Sequence, residues 1–139
     1  LFLKKFLLSV PFDGSKEVVV RINPSDSPYF WDDITAVLPT LPHAIRLSKV
    51  RTPEEVINLD KIISAFELSR GVKQGTIKIP LSIETPQSVK KLSSIVSAST
   101  RVEAVYLGIL DLYAELGISQ RYASSDFARF VKCRFVFEA

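Results

Sequence analysis

The run Ile77-Lys78-Ile79-Pro80-Leu81-Ser82-Ile83, followed at once by Glu84, decides the fold that this sequence predicts. It is short and aliphatic, and it ends in a single charge. Similar runs end near Arg21, Lys49 and Asp111, at intervals of about thirty residues, and the segments between them have helical periodicity. Apolar strands that alternate with amphipathic helices predict an α/β protein with a parallel sheet covered by helices. Because chemistry collects at the carboxyl ends of parallel strands, the four charges predict a pocket there.

Composition indicates one globular domain and excludes several classes of function. The chain has 139 residues, 47% of them hydrophobic, and a net charge of +3, which excludes a disordered chain. Lys and Arg are scattered, so we expect no nucleic-acid partner. No stretch approaches the roughly 20 apolar residues that cross a bilayer, so we expect no membrane partner. Cys133 has no second cysteine to pair with, which fits the cytoplasm, and we expect it to be a small buried apolar group.

Capping signals mark where the helices begin. Thr52-Pro53-Glu54-Glu55 places a threonine at the N-cap, a proline at the first helical position and a glutamate at the third. Thr85-Pro86 repeats the cap-and-proline start, and Gly71 and Gly117 mark helix ends. The predicted helices begin near residues 1, 31, 53, 86, 111 and 125. The predicted strands are Glu17–Ile22, Ala44–Val50, Thr76–Ile83 and Val102–Ile109.

The sheet predicted from these strands has two possible closures, a barrel or an open doubly wound sheet. An open dinucleotide-binding sheet needs a glycine-rich turn after its first strand, and the chain has 5 glycines and no G-x-G-x-x-G. The barrel is therefore favoured, and four strands make half of an eight-stranded TIM barrel. The absence of methionine, even at position 1, indicates a segment of a longer natural chain. We expect residues 1–139 to form a single partial TIM-barrel domain.

Glu84 and Asp111 are the most specific pair of candidate residues. Each is predicted at the carboxyl end of a strand, and the two strands are consecutive and therefore adjacent. Two carboxylates, with water and a substrate oxygen, suit Mg²⁺, which binds few protein oxygens and keeps much of its hydration. Taken alone, Glu84 has a simpler interpretation, which is to accept backbone N–H bonds at the start of the following helix. The parallel placement of Asp111 favours a magnesium site.

Arg21 and Lys49 are candidates for substrate binding. Arg21 interrupts a strand that otherwise buries apolar groups, so we expect a buried guanidinium with an anionic partner. That partner is either a substrate oxygen or a protein carboxylate in a structural salt bridge, and residue type alone does not separate the two. Lys49 is a weaker candidate, because its neighbours Arg46 and Arg51 carry the same charge. His43 is predicted at the opposite, amino end of its strand and has a structural interpretation.

Four stretches resemble successive motifs of the citrate lyase β-subunit-like proteins of the HpcH/HpaI aldolase superfamily. They are Val19-Val20-Arg21-Ile22-Asn23-Pro24, Ile45-Arg46-Leu47-Ser48-Lys49-Val50, Ile83-Glu84-Thr85-Pro86 and Leu107-Gly108-Ile109-Leu110-Asp111-Leu112. The resemblance runs from about Val18 to Arg134 and corresponds to about strands two to five of that family's (β/α)₈ barrel. The sequence departs from the family at Leu110, where Glu is common, and at Ser48, where Pro is common. The acidic motif of the family's first strand has no counterpart.

The resemblance implies a carbon–carbon lyase, usually oligomeric, for acyl-CoA thioesters of hydroxy acids such as citryl-, malyl- or citramalyl-CoA. It implies Mg²⁺ held by Glu84 and Asp111, a catalytic and substrate-binding role for Arg21, and further substrate contacts from Glu84 and Lys49. In that mechanism the metal and the arginine polarise the substrate's carbonyl oxygens and stabilise the enolate. The partners implied are an acyl-CoA or a small hydroxy or oxo acid, together with further copies of the chain in a homo-oligomer.

Two classes of function remain open at this point. The first is a Mg²⁺-dependent carbon–carbon lyase, of which this chain is a part. The second is a catalytically inactive, truncated paralogue or fragment of such a lyase. Mg²⁺-dependent cleavage of an acyl-CoA separates the two.

Overall fold

The computed structural model describes residues 16–119 and 125–139, together with Lys5, Ser9 and Arg121. The strands are β1 (Val19–Ile22), β2 (Ala44–Leu47), β3 (Leu81–Ile83) and β4 (Val105–Leu107). The helices are α1 (Phe30–Val37), α2 (Pro53–Ser69), α3 (Pro86–Lys90), α4 (Leu92–Val96), α5 (Ile109–Glu115) and α6 (Asp126–Glu138), with a 3₁₀ turn at Leu38–Thr40. The helix predicted near residue 1 falls on residues 1–8, which lie outside the described residues except for Lys5.

The sheet is parallel, and its strands follow the chain in the order β1-β2-β3-β4. Arg21 lies opposite Arg46, Leu47 opposite Leu81, and Ser82 opposite Tyr106. Each crossover between neighbouring parallel strands contains at least one helix, as such connections require. The α/β class and the parallel sheet predicted from the sequence are therefore confirmed.

One face of the sheet packs against the helices and forms the core. The strand residues on this face include Val20, Ile22, Ile45, Leu81 and Ile83, and all are buried. Helix α2 packs Val56, Leu59 and Ile63 against them as part of one continuous cluster. Burial of each such side chain contributes about 1.5–3 kcal/mol relative to exposure, so this face holds the sheet together.

The other face is less covered, although its small residues Ala44 and Ser82 are buried, and we call it the open face. It consists of the alternate strand residues Val19, Arg21, Ala44, Arg46, Ser82 and Tyr106, because successive side chains on a strand point to opposite sides. Val19 and Tyr106 each keep 42% of their surface exposed. In β1 exposed and buried residues alternate strictly, which shows that only one face of this strand is packed within the described part of the chain.

The helix starts agree with the capping signals. In α2, Glu55 accepts the Thr52 amide at 3.3 Å, which completes half of a capping box. In α3, Thr85 caps the helix and exchanges hydrogen bonds with Ser88. Gly71 ends α2 with a φ of +65°, a backbone conformation that glycine adopts without a side-chain clash.

The strands are shorter than the sequence predicts, and one predicted helix is divided. The predicted strand Thr76–Ile83 is assigned only from Leu81, preceded by an isolated bridge between Ala44 and Lys78. Pro80 interrupts the ladder, because proline has no N–H to donate. The helix predicted after Thr85 breaks at Lys91 into α3 and α4.

A buried charge cluster joins α2 to the loops that precede β3 and β4. Arg101, only 3% exposed, donates to Glu67 at 2.7 Å and to Asp60 at 2.6 Å. Glu67 also accepts the backbone amides of Gly75 and Ile77, at 3.0 and 2.9 Å. Burial opposes the ionisation of Glu67, but the hydrogen bonds from Arg101 and from these amides outweigh it and hold its pKa below the ordinary value.

Helix α6 differs from the prediction at its cysteine. Cys133 is exposed, so the expectation of a buried apolar group is wrong. The helix packs through Ala128 and Val131, which leaves Phe127 and Phe130 largely exposed. Helical spacing alone identifies a stripe of large residues but not which side of it meets the protein.

Among the residues that the structure describes, no helix is both long and apolar enough to span a membrane.

Candidate active site

The four charged residues predicted from the sequence lie on or near the carboxyl half of the sheet, at different positions relative to the ends of their strands. Glu84 follows β3 directly, and Lys49 lies two residues beyond β2. Asp111 belongs to the first turn of α5, one helical turn past β4. Arg21 lies inside β1 on the open face.

Arg21 is exposed, so the expectation of a buried guanidinium is wrong. The physical reason is the position of Arg21 on the open face of a strand that has only one neighbour in the described sheet. Its guanidinium forms no ion pair with the described residues, and so the structural salt bridge considered above is not seen either.

Glu84 is a buried carboxylate, 6% exposed, that forms no hydrogen bond or ion pair with the described residues. Its simpler interpretation as a helix cap is not what the structure shows, because Thr85 caps α3. Among the described residues no fully buried side-chain oxygen or nitrogen lacks a hydrogen-bond partner, so the Glu84 carboxylate keeps some contact with solvent. Its oxygens are therefore accessible to water or to an ion and are not engaged by a described protein group.

Gly108 makes room for the Glu84 side chain. A Cβ built on Gly108 would lie 2.4 Å from Cγ of Glu84 and 3.0 Å from its Oε1. Real Cβ atoms do not approach another heavy atom so closely, so any residue larger than glycine would displace the carboxylate. No role for Gly108 was predicted from the sequence, although a glycine at the end of a strand often marks the close approach of another group.

Lys49 and Asp111 meet across the carboxyl end of the sheet. The Lys49 Nζ lies 3.3 Å from the Asp111 Oδ1. Lys49 follows β2 and Asp111 follows β4, so the ion pair spans the end of β3, the strand that Glu84 follows. Lys49 also has a φ of +48°, which is uncommon for a residue with a side chain and is found mostly at functional positions or turns.

Arg51 links several segments at the same end of the sheet through ion pairs and a backbone hydrogen bond. Its Nη1 lies 2.9 Å from Asp26 in the loop after β1, and its Nη2 lies 4.0 Å from Glu115 at the end of α5. Its backbone amide donates to Glu55 at 2.6 Å. These contacts connect the loops after β1 and β2 to α5, a role that the sequence does not predict for Arg51.

The amino end of the sheet is chemically different. His43 accepts the Val18 amide through Nδ1 at 2.9 Å, which confirms its structural interpretation. A groove of about 440 Å³ lies at this end of the open face, lined by residues that include His43, Lys78 and Tyr106. Neither Glu84 nor Asp111 lines this groove, so it is separate from the candidate site.

The donor set at the carboxyl end suits a hard cation. Glu84 and Asp111 supply carboxylate oxygens, which Mg²⁺ prefers, and Glu84 has no competing protein partner among the described residues. Within the same part of the chain, no group of three or more His, Cys, Asp or Glu side chains is placed to hold a metal. A cation bound at this end of the sheet would have to take most of its ligands from water and substrate, as Mg²⁺ does.

A parallel β/α sheet with charged groups gathered at its carboxyl end is consistent with the TIM-barrel class of enzymes. The sequence profile of HpcH/HpaI aldolase/citrate lyase matches residues 3–139, and the chain belongs to this family.

Known relatives are longer than this chain. The chain is 30% identical over 109 residues to citrate lyase subunit beta of Haemophilus influenzae, covering 78% of this chain and 38% of that protein. It is 29% identical over 109 residues to L-malyl-CoA/beta-methylmalyl-CoA lyase of Rhodobacter capsulatus, covering 76% and 34%. A citrate lyase beta subunit from Mycobacterium tuberculosis, solved with oxaloacetate and magnesium, shares the fold with a TM-score of 0.74 at 24% identity, covering 98% of this chain and 55% of that one. The chain thus spans about a third to a half of the relatives it matches.

Proposed function

We propose that this chain is part of a Mg²⁺-dependent carbon–carbon lyase that acts on an acyl-CoA thioester of a hydroxy acid, such as citryl-, malyl- or citramalyl-CoA. The observation that carries the proposal is Glu84, a buried carboxylate without a protein partner among the described residues, at the carboxyl end of a parallel sheet. Membership of the citrate lyase family and relatives named as citrate and malyl-CoA lyases support it.

Glu84 and Asp111 are the proposed magnesium-binding residues. The Glu84 side chain occupies the space that Gly108 leaves, and Asp111 forms an ion pair with Lys49. When bound, Mg²⁺ would supply Lewis-acid stabilisation of the oxygen on which negative charge develops as the carbon–carbon bond breaks. The magnesium in the Mycobacterium tuberculosis relative is consistent with this choice of cation.

Arg21 and Lys49 are the proposed cationic contacts to the substrate, and Glu84 is a further proposed substrate contact. The Arg21 guanidinium is exposed on the open face without a carboxylate partner among the described residues, so it is free to bind a substrate carboxylate or enolate oxygen in bidentate fashion. Lys49 already neutralises Asp111 and would turn to the substrate if a metal took over that carboxylate. Arg21 is the proposed catalytic group, because it would stabilise the charge that forms in the transition state.

The proposed domain, residues 1–139, corresponds to about strands two to five of a (β/α)₈ barrel. The four parallel strands in chain order and the open face support this assignment, because in a closed barrel that face would point to the interior. The proposed assembly is a homo-oligomer in the cytoplasm.

A catalytically inactive, truncated paralogue or fragment of such a lyase is the second candidate, and one observation favours it. Asp111, a proposed metal-binding residue, is already engaged by Lys49. Catalysis needs its groups held within a fraction of an ångström, and this ion pair competes with metal binding at Asp111.

Magnesium binding tests the site itself. We expect Glu84→Gln and Asp111→Asn each to weaken Mg²⁺ binding measured by calorimetry, while the circular dichroism of the helices stays unchanged. Asp126→Asn is the matched control, because Asp126 is an exposed helix carboxylate paired only with Arg129. Equal Mg²⁺ affinity in all the variants and the wild type would contradict the metal assignment.

Enzyme assays separate the two candidates. We expect little or no cleavage of malyl-, citramalyl- or citryl-CoA by the isolated 139-residue chain with Mg²⁺, because part of the family's catalytic rim is absent. Loss of supporting contacts alone lowers activity roughly 10–100-fold. Robust turnover that is abolished by chelator and by Arg21→Ala would show that the chain is competent by itself, and the expectation of inactivity would then be wrong.

A further inference from the structure

Arg46 lies in the middle of the open face, and two side chains fix its orientation. Its Nε donates to the Ser82 hydroxyl at 2.7 Å, and its guanidinium carbon lies 4.1 Å from the centre of the Tyr106 ring. Ser82 is fully buried, so the hydroxyl that accepts Nε is itself packed in place. The guanidinium is therefore oriented before any ligand arrives, which lowers the entropy lost on binding.

The remaining donors of Arg46 have no partner among the described residues. A guanidinium has five N–H donors in a planar fork, and only Nε is engaged here. Glu103, which lines the groove at the amino end of the open face, already pairs with Lys78 at 2.6 Å. The two Nη groups are thus free to bind an oxyanion in bidentate fashion.

Arg46 also lies directly beside a second arginine. The register places Arg21 opposite Arg46 on the neighbouring strand, so both side chains emerge on the open face. Like charges directly opposite each other destabilise a pair of strands. Neither arginine forms an ion pair with the part of the chain that the structure describes, so the repulsion is not offset by a direct partner.

We propose that Arg46 and Arg21 together form an anion site on the open face that binds a small dianionic oxyanion, either a dicarboxylate or a phosphate group. The Arg46 guanidinium has a fixed orientation, and the exposed Arg21 guanidinium binds the ligand from the neighbouring strand. An anion between them offsets the repulsion and satisfies the unused Nη donors. Arg21 is also the residue proposed above to bind the substrate, so this inference rests on the proposed function for Arg21 and adds Arg46 to the same site. Binding in EDTA needs neither magnesium nor turnover, so failure of this site and failure of the proposed lyase are distinguishable.

Calorimetric titration in the presence of EDTA tests this site, with malonate, inorganic phosphate and acetate as probes. We expect at least one dianion to bind the wild-type chain more tightly than acetate does. We expect Arg46→Gln and Arg21→Gln to weaken that binding about 10-fold to 100-fold, as the loss of a hydrogen bond to a charged group predicts. Tighter binding of malonate identifies a dicarboxylate site, and tighter binding of phosphate identifies a phosphate site.

Two further variants keep the test decisive. Arg70→Gln is the matched control, because Arg70 is an exposed arginine that stacks on Phe66, 5.6 Å from its ring centre, away from the open face. Arg46→Lys keeps the charge but loses the fork, so it should bind less tightly than the wild type even if Arg46→Gln fails to fold. The proposal is overturned if no dianion binds more tightly than acetate, or if Arg46→Lys and Arg21→Gln bind as Arg70→Gln does.

Discussion

At the scale of single residues, the position of the Glu84 side chain depends on the absence of a side chain at Gly108. Glu84 is buried without a protein partner among the described residues, and Gly108 leaves the space that its side chain occupies. The backbone of Gly108 has an ordinary φ of −87°, so its lack of a side chain, not its flexibility, makes it necessary. A residue chosen for space rather than for conformation is typical of a position where another group approaches closely.

Replacing Gly108 by alanine tests this relation. We expect Gly108→Ala to displace the Glu84 carboxylate and to weaken Mg²⁺ binding about 10–100-fold, with an overpacking cost of about 1–3 kcal/mol in the free energy of unfolding. Calorimetry with Mg²⁺ and chemical denaturation measure the two effects.

A second substitution provides the control for this prediction. Adding Glu84→Ala to Gly108→Ala removes Cγ together with the carboxylate and should restore part of the lost stability, because the clash involves Cγ of Glu84. Wild-type Mg²⁺ affinity in Gly108→Ala would show that the position of Glu84 is unrelated to metal binding.

Among the elements, α2 contributes more than a layer over the sheet. Two acids of this helix, Asp60 and Glu67, form ion pairs with Arg101, which lies just before β4. Burial opposes ionisation at both acids, but the hydrogen bonds, from Ser99 and Arg101 to Asp60 and from Arg101 and two amides to Glu67, hold both pKa values below their ordinary values. This cluster contacts the segments that precede β3 and β4, whereas Glu84 follows β3, so the cluster is separate from the candidate site and its role is structural.

The cluster predicts how stability depends on pH. A carboxylate whose pKa is lowered on folding stabilises the native state above its unfolded pKa, which is 4.5 for Glu67, and this stability is lost as pH falls through the lower folded value. We expect Glu67→Gln to destabilise the protein by about 3–5 kcal/mol at pH 7, because Arg101 would keep a buried charge with fewer partners. The difference from the wild type should shrink as pH falls below 4.5.

Thermal unfolding followed from pH 7 to pH 3 checks both parts of this prediction. Glu103→Gln is the control, because Glu103 forms a partly exposed ion pair with Lys78 that should contribute about 0–1 kcal/mol. A difference between Glu67→Gln and the wild type that persists unchanged at pH 3 would contradict the linkage argument.

For the whole molecule, the two faces of the sheet have different roles. The helix-covered face contains the core, whereas the open face carries Val19 and Tyr106 at 42% exposure beside the two arginines. In the described sheet, β1 and β4 each have one neighbouring strand. Unpaired strand edges and exposed apolar surface both favour association with other chains.

We therefore expect the isolated 139-residue chain to self-associate at micromolar concentration in light scattering. Val19→Lys should reduce this association, because a lysine on an edge strand disfavours pairing. Leu68→Lys is the matched control, because Leu68 is 74% exposed on α2, away from the open face. A monodisperse wild-type monomer would show that the open face does not drive assembly.

The sequence by itself determined the elements and their class. Capping residues at Thr52 and Thr85, glycine at position 71 and the alternation of apolar runs with amphipathic segments are local signals, and the parallel α/β sheet follows from them. The motifs around Arg21, Glu84 and Asp111 also identified the family. Those signals depend only on neighbours along the chain, and so they can be read without coordinates.

Only the tertiary structure decided which faces are covered and which charges meet. It exposed Arg21 and Cys133, paired Lys49 with Asp111, gave Gly108 its role beside Glu84, and gathered Arg101, Glu67 and Asp60 into one buried cluster. These contacts join residues that are distant along the chain, at separations up to 62 positions for Lys49 and Asp111 (111 − 49). They depend on how the strands and helices pack, which neither periodicity nor capping encodes.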